Sequence, residues 1–322
     1  VSRRILVVCA LLALAFCISS CSKKPSTRST ESGSGAAGPL QGKVIGVTLL
    51  TKGHEFYKDL EAGLRDAARQ QGCQLLVDAG EWDLQKQQSQ IENFITKKVD
   101  AIIVCPVDSK GIGGGIEEAN QAGIPVFTAD IAAEEGKVVC HIASDNVKGG
   151  ETAAAYMGEH LKQGAVAIID QPTVTSVVDR VTGFEQKLKE FPGLRIVVKQ
   201  TGEGVRDKAM NVTENVLQAH PDIKGIFAIN DDSALGALQA VRAAGKEKEI
   251  MIVGYDATPE ARKEILAGSA LKADVIQYPK KIGQTTIDAI AKYFGGETLP
   301  ATMPVEVGIV DKESLSTSPA SQ

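Results

Sequence analysis

The sequence predicts an α/β protein of two doubly wound lobes, each a parallel sheet covered by helices on both faces. Three observations point there. The chain has 322 residues, which suits two domains at roughly 150 residues each. Short, continuous apolar runs rich in β-branched residues alternate with helical segments, the pattern of strands buried on both faces. That alternation runs once and then starts afresh near mid-chain, which implies two sheets rather than one. With 43% hydrophobic and 23% charged residues, the composition excludes disordered and collagen-like classes. A net charge of −5 leaves no electrostatic footprint for nucleic acid. Aromatic residues are 4% and the 4 histidines are scattered, so neither a haem nor a metal site is expected.

In the first series, KVIGVTLL (43–50) reads as a strand, and Phe56–Gln71 carries Leu60, Leu64, Ala67 and Ala68 at helical spacing. CQLLVDAG (73–80) is a second strand, and Asp83 is placed to cap a helix running to Lys98. Ala101–Cys105 is a third strand, Ser109–Gly123 a third helix and Pro125–Thr128 a fourth strand. The second series has strands at 166–170, 195–200, 225–230 and 251–255, with helices beginning near Asn146, Ser176, Arg206, Asp232 and Pro259.

In such sheets ligands sit at the carboxyl ends of the strands. Those ends carry His54, Phe56 and Tyr57 after the first strand and Asp130 after the fourth. In the second series they carry Asp170, Asn230-Asp231-Asp232 and Tyr255-Asp256. Carboxylates accept hydroxyl protons, amides donate and accept, and an aromatic face packs on the C–H side of a ring, so the set suits a polyhydroxylated ligand. A strand-end Asp or Asn equally serves to cap the next helix, and position alone leaves both readings open.

Ahead of the first strand, Arg3-Arg4 precede the apolar run Ile5–Ile18. Residues 1–20 read as a secretory signal, too short in the apolar part for a membrane span. Ile18-Ser19-Ser20-Cys21 resembles a bacterial lipobox, which makes Cys21 the expected lipid-attachment residue. Residues 21–42, rich in Ser, Gly, Thr and Pro, read as a flexible tether. Gly33–Gly38 fits the GxGxxG pattern by chance, since no strand precedes it and no helix follows. Cys73, Cys105 and Cys140 have no CxxC spacing and are expected as buried thiols, with any pairing among them left open.

From Lys43 to about Asp311 the chain resembles the ribose-binding-type periplasmic solute-binding proteins of ABC importers. The resemblance rests on HIASDNVKGGE (141–151), R-x-x-G-F at 180–184, QAHPDIKGIFAINDDSALGALQAVRAAGK (218–246), IVGYDATPEA (252–261) and VIQYPKKIG (275–283). It implies the type I fold of that family, two lobes joined by a three-strand hinge. Residues 43–144 plus 278–306 would form the N-terminal lobe, and 145–277 plus 307–315 the C-terminal lobe. The chain would cross near Ser144-Asp145, near Gln277 and within 304–308. Residue by residue, it implies ligand roles for Phe56 and Tyr57, Asp130, Arg180, Asn230, Asp256 and Gln277. His54 stands where the family usually has Asn, Ile131 where ribose binders have Arg, and Gly204 where an aromatic is expected. Trp82, the only tryptophan, is a candidate for the pocket mouth.

The implied function is extracytoplasmic capture of a neutral monosaccharide (a pentose such as ribose, or a related sugar or polyol) and its delivery to an ABC permease and its ATPase. The expected state is a lipid-anchored monomer facing the periplasm or the cell exterior. A sensory receptor subunit using the same lobes is the alternative. An enzyme is not expected: GxSxG, HExxH and Walker patterns are absent. A sugar-responsive repressor would need a helix-turn-helix where the signal and tether stand. The lipobox resemblance yields the first test. Cys21→Ala should release the protein into the soluble fraction or leave the precursor uncleaved; fractionation showing unchanged membrane association and processing would refute it.

Overall fold

The computed structural model describes residues 38–317. The signal segment, Cys21 and the tether as far as residue 37 lie outside them.

The first series forms β1 (Val44–Leu49), β2 (Gln74–Ala79), β3 (Ala101–Val104), β4 (Val126–Ala129) and β5 (His141–Ser144), with α1 (Glu55–Gln71), α2 (Leu84–Thr96) and α3 (Gly113–Gln121) between the first strands. The second series runs α4 (Asn146–Leu161), β6 (Gly164–Asp170), α5 (Thr175–Leu188), β7 (Leu194–Thr201), α6 (Arg206–Ala219), β8 (Ile223–Ala228), α7 (Asp231–Ala243), β9 (Met251–Asp256), α8 (Pro259–Ala267) and β10 (Leu271–Ile276). The chain then returns. Helix α9 (Pro279–Phe294) packs on α1, β11 (Thr302–Val305) pairs with β5, β12 (Gly308–Asp311) pairs with β10, and α10 (Lys312–Thr317) lies beside α8.

Two six-stranded sheets result, in the orders β11-β5-β4-β3-β1-β2 and β12-β10-β9-β8-β6-β7. Their inner strands are buried on both faces, β3 over its whole length, as the continuous apolar runs require, while the edge strands β2, β7, β11 and β12 are partly exposed. The chain passes from one sheet to the other after β5, back after β10, and again between β11 and β12.

The structure departs from expectation in a few places. Strand β12 is antiparallel to β10, an edge strand on an otherwise parallel sheet. Strands β5, β10, β11 and β12 do not stand out in the sequence. β10 carries Asp274 in its middle, and β11 carries Pro304, tolerated because that strand is at the edge. Helix α3 starts at Gly113 rather than Ser109, because Asp108 Oδ1 accepts the amides of Lys110 and Gly111 (3.0 and 2.6 Å) and bends the chain first. The tether does not extend to residue 42: Leu40 is 0% exposed in the first core, and the turn around it is hydrogen-bonded from Gly38 to Lys43. Cys105 and Cys140 are buried, Cys73 is half-buried, and all three are free thiols.

Helices α4 and α5 meet backbone to backbone. A Cβ at Gly150 would lie 1.9 Å from the Arg180 carbonyl oxygen, and one at Gly183 would lie 2.0 Å from that of Val147. These are the glycines of the KGGE and R-x-x-G-F segments, and their close approach fixes where α5 carries Arg180. Gly183→Ala should therefore cost about 1–3 kcal/mol of stability by overpacking, read as a lower urea midpoint. Gly114→Ala, at a helical position with nothing within 4 Å, should instead be neutral or gain about 0.5–1 kcal/mol.

Candidate functional site

The carboxyl ends of β1, β2 and β4 face those of β6, β8, β9 and β10 across a cleft, the place where open α/β sheets bind small ligands. All eight residues expected at the site line it: His54, Phe56, Tyr57 and Asp130 from the first lobe, and Arg180, Asn230, Asp256 and Gln277 from the second. The lobes touch on both sides of the cleft. On one side His54 Nε2 lies 3.5 Å from Asp256 Oδ2 and 3.9 Å from Asp232 Oδ2. On the other, the Ser109 amide donates to the Thr173 carbonyl (3.1 Å), while the amides of Thr175 and Ala132 donate to the hydroxyls of Ser109 and Thr175 (3.0 and 3.1 Å).

In the first lobe, His54 is the N-cap of α1. Its Nδ1 accepts the Phe56 amide at 3.1 Å, so in the neutral ring the proton sits on Nε2, facing Asp256. Phe56 and Tyr57 stand edge to face with ring centroids 5.2 Å apart, both buried. The Tyr57 hydroxyl donates to Asp130 Oδ2 at 2.6 Å. Asp130 follows β4 with φ of 67°, a left-handed turn that brings its carboxyl to the cavity. It is 5% exposed. Burial pushes it up to about 6, against the opposing pull of Arg180 and of the Tyr57 hydroxyl. Burial and the neighbouring Asp130 in turn raise Tyr57 well above its ordinary value.

In the second lobe, Arg180 is held on three sides. Its Nε donates to Asn146 Oδ1 (2.9 Å), its Nη1 to the Ile229 carbonyl (2.7 Å), and its guanidinium lies 3.9 Å over the Tyr255 ring. Among the described residues nothing engages Nη2. Asn230 combines the two roles that position alone left open. Its Oδ1 caps α7 by accepting the Ser233 amide (2.9 Å), its Nδ2 donates to the Gly204 carbonyl (3.0 Å), and it lines the cavity. Asp256 is not a cap. Its Oδ1 accepts from Gln277 Nε2 at 2.6 Å and its Oδ2 from the Asp231 amide at 3.3 Å. Gln277 Oε1 is buried with no partner among the described residues, an acceptor in need of a donor.

Sequence reasoning missed part of the lining: Leu50, Gln171, Val174, Ser176, Val177 and Ile229. Asp170 was the expected residue at the end of β6, yet the cavity is lined by its neighbour Gln171, and Asp170 Oδ1 turns back to the Gln171 amide (2.7 Å). Strand alternation separates the two. At Gly204, with φ of 67°, Gln171 takes the space a side chain would use: a Cβ would meet Gln171 Oε1 at 2.4 Å. Ile131 is a buried apolar wall, and Trp82, 41% exposed, sits at the lip. The turn bearing Trp82 is pinned by Glu81, whose carboxylate accepts from the Thr51 hydroxyl (2.6 Å) and the Lys52 amide (3.1 Å). His141 is drawn into the first sheet, where burial lowers it to about 4. No cluster of three His, Cys, Asp or Glu able to hold a metal occurs among the described residues.

The raised Asp130 carboxyl carries a pH consequence. The folded state holds a proton that the unfolded chain releases above the ordinary carboxylate value, so this contribution to stability is full at low pH and is lost as pH rises to about 6. Relative to wild type, Asp130→Asn should therefore gain about 2 kcal/mol in unfolding free energy between pH 4 and pH 7. Urea titrations at the two values would show this; an unchanged difference would contradict it.

Residues 45–298 match the family model described as "Periplasmic binding protein domain". The chain is 36% identical over 290 residues to the ribose import binding protein RbsB of Bacillus subtilis, covering 89% of this chain and 92% of that one. A crystal structure of an ABC transporter solute-binding protein from Actinobacillus succinogenes with bound D-allose superposes with a TM-score of 0.78 at 31% identity, covering 86% of this chain and 100% of the other. A solute-binding protein from Bacillus halodurans with bound myo-inositol gives 0.78 at 28% identity, covering 88% and 98%. With its two sheets, its cleft at their facing strand ends and this similarity over most of its length, the chain belongs to the periplasmic binding proteins of the ribose-binding type.

Proposed function

We propose that the protein captures a neutral monosaccharide or polyol in the cleft and delivers it to an ABC permease. The observation that carries this reading is the convergence of Asp130, Arg180, Asn230, Asp256 and Gln277, drawn from both lobes, on one cavity with apolar walls. Sugar hydroxyls would donate to Asp130 and to the orphaned Gln277 Oε1, and accept from Arg180 and Asn230. The C–H faces of the ring would rest on Phe56 and Tyr57. Two buried carboxylates against one guanidinium disfavour an anionic ligand such as a sugar phosphate. Ile131, Val174 and Val177 offer no hydrogen bonds, which favours a compact ligand over a fully hydroxylated large one. Relatives carrying ribose, allose and inositol in their names support the ligand class, and "import" in the name of the Bacillus subtilis relative supports transport over sensing. Export through residues 1–20, anchoring through Cys21 and action as a monomer belong to the same proposal.

Capture requires the lobes to open and close, with contacts such as His54–Asp256 made only in the closed form. A thermal-shift panel of D-ribose, D-allose, xylitol, myo-inositol, ribose 5-phosphate, galacturonate and free amino acids tests the class. A ligand at 100 times its Kd adds about 2.7 kcal/mol, on the order of 5–10 °C for a core of this size. At least one neutral sugar or polyol should give that shift, and Arg180→Ala should weaken its binding about 5- to 150-fold. Shifts from phosphates, amino acids or uronates alone would overturn the reading.

A further inference from the structure

Two carboxyl groups lie below the cleft without lining it. Asp231 opens α7 and is 2% exposed; Asp274 sits in the middle of β10 and is 0% exposed. Each grips the turn that follows β9. The Thr258 amide donates to Asp231 Oδ2 at 2.6 Å, and the Ala257 amide donates to Asp274 Oδ1 at 3.1 Å. That turn places two successive non-glycine residues at positive φ, Asp256 at 116° and Ala257 at 55°, a conformation that persists only where its surroundings enforce it. The same turn aims the Asp256 carboxylate into the cavity.

The other oxygen of each group, Asp231 Oδ1 and Asp274 Oδ2, is buried with no donor among the described residues. Because they accept from consecutive amides of one turn, the two carboxyl groups are brought side by side. Gly254 of β9 makes the space, since a Cβ there would come within 2.7 Å of Asp274 Oδ2. Two carboxylates in contact in a dry interior cannot both ionise. A single proton between them would replace repulsion with a short O–H···O⁻ bond and give both orphaned oxygens a partner.

We infer that Asp231 and Asp274 share one proton, and that this proton holds the Asp256–Thr258 turn in the shape that presents Asp256 to the ligand. The inference rests on the proposed ligand role of Asp256 and makes Asp231 and Asp274 positioning residues. Charged groups surround the pair without neutralising it. Asp256 lies above, and His54 faces Asp256 across the cleft. Asp232 on α7 is paired with Arg206 of α6 (3.2 Å), and Arg262 of α8 is spent on the Ala257 carbonyl (2.6 Å). Among the described residues no basic side chain bonds to Asp231 or Asp274. Burial, together with the nearby carboxylates, raises both above the usual carboxylate range. Because the folded state keeps a proton that the unfolded chain gives up, the contribution is full at low pH and is lost as pH climbs past that range.

The experiment measures D-ribose affinity by calorimetry, and the melting temperature of sugar-free protein, from pH 6 to pH 9. It compares wild type with Asp274→Ala and Asp274→Asn. Wild type should lose tenfold or more in affinity, and melt progressively lower, toward pH 9. Asp274→Ala should bind at least tenfold more weakly throughout. Asp274→Asn, whose amide N–H stands in for the shared proton without titrating, should rescue binding and flatten the alkaline decline in both measurements. Wild-type profiles that are flat, or an Asp274→Asn decline matching wild type, would overturn the inference. Should Asp274→Ala fail to fold, Asp274→Asn alone decides. If D-ribose binds neither protein, the melting profiles still judge the shared proton, and the sugar panel separately judges the ligand class.

Discussion

The charge of Arg180 is taken out of water, and much of the second lobe is arranged around that fact. An uncompensated guanidinium in a protein interior costs several kcal/mol, so it is met on three sides. Asn146 accepts from Nε, the Ile229 carbonyl accepts from Nη1, and the Tyr255 ring lies beneath it. Each partner comes from a different element, α4, the end of β8 and β9, so the position of one side chain depends on the packing of three elements against α5. The backbone contact of α4 with α5 through Gly150 and Gly183 sets that packing. A larger residue at either glycine would move the arginine as well as strain the helices.

The opposite charge is handled differently in the two lobes. Asp130 keeps one donor, the Tyr57 hydroxyl, and its elevated carboxyl reports how little else stabilises the anion there. Asp256 is better provided for, with Gln277 and the Asp231 amide on its two oxygens. Such partly satisfied groups suit a site that a hydroxylated ligand completes, since an unmade buried hydrogen bond is costly while a made one adds only modestly. Left-handed backbone at Asp130 and Asp256 belongs to the same economy: the chain turns sharply after each strand so that the side chain meets the cleft rather than the next helix.

Much of this was legible in the residues. Alternation of apolar runs with amphipathic helices marked most strands and helices, because burial of one face leaves a local period. Strand-end chemistry identified Asp130, Asn230 and Asp256, and the resemblance added Arg180 and Gln277, all of which meet at one cavity. Less was legible where local rules conflict with distant partners. Asp274 interrupts an apolar run and hides β10, although a buried neighbour is what makes it tolerable there. Asp170 outranked Gln171 by chemistry, whereas the pleat turned Gln171 to the cavity.

The sequence by itself determined the two alternating series, the strand ends that meet a ligand and the residue types waiting there, since each depends on neighbours a few positions away. Tertiary structure alone decided which of those groups meet. Tyr57 and Asp130, 73 positions apart, come together only because β1 and β4 flank β3 in one sheet. β11 and β12 join different sheets although only residues 306 and 307 separate them. Contacts of this kind follow from strand order and from the docking of one lobe on the other. Both are set by burial summed over whole surfaces, and that sum leaves no local period to read.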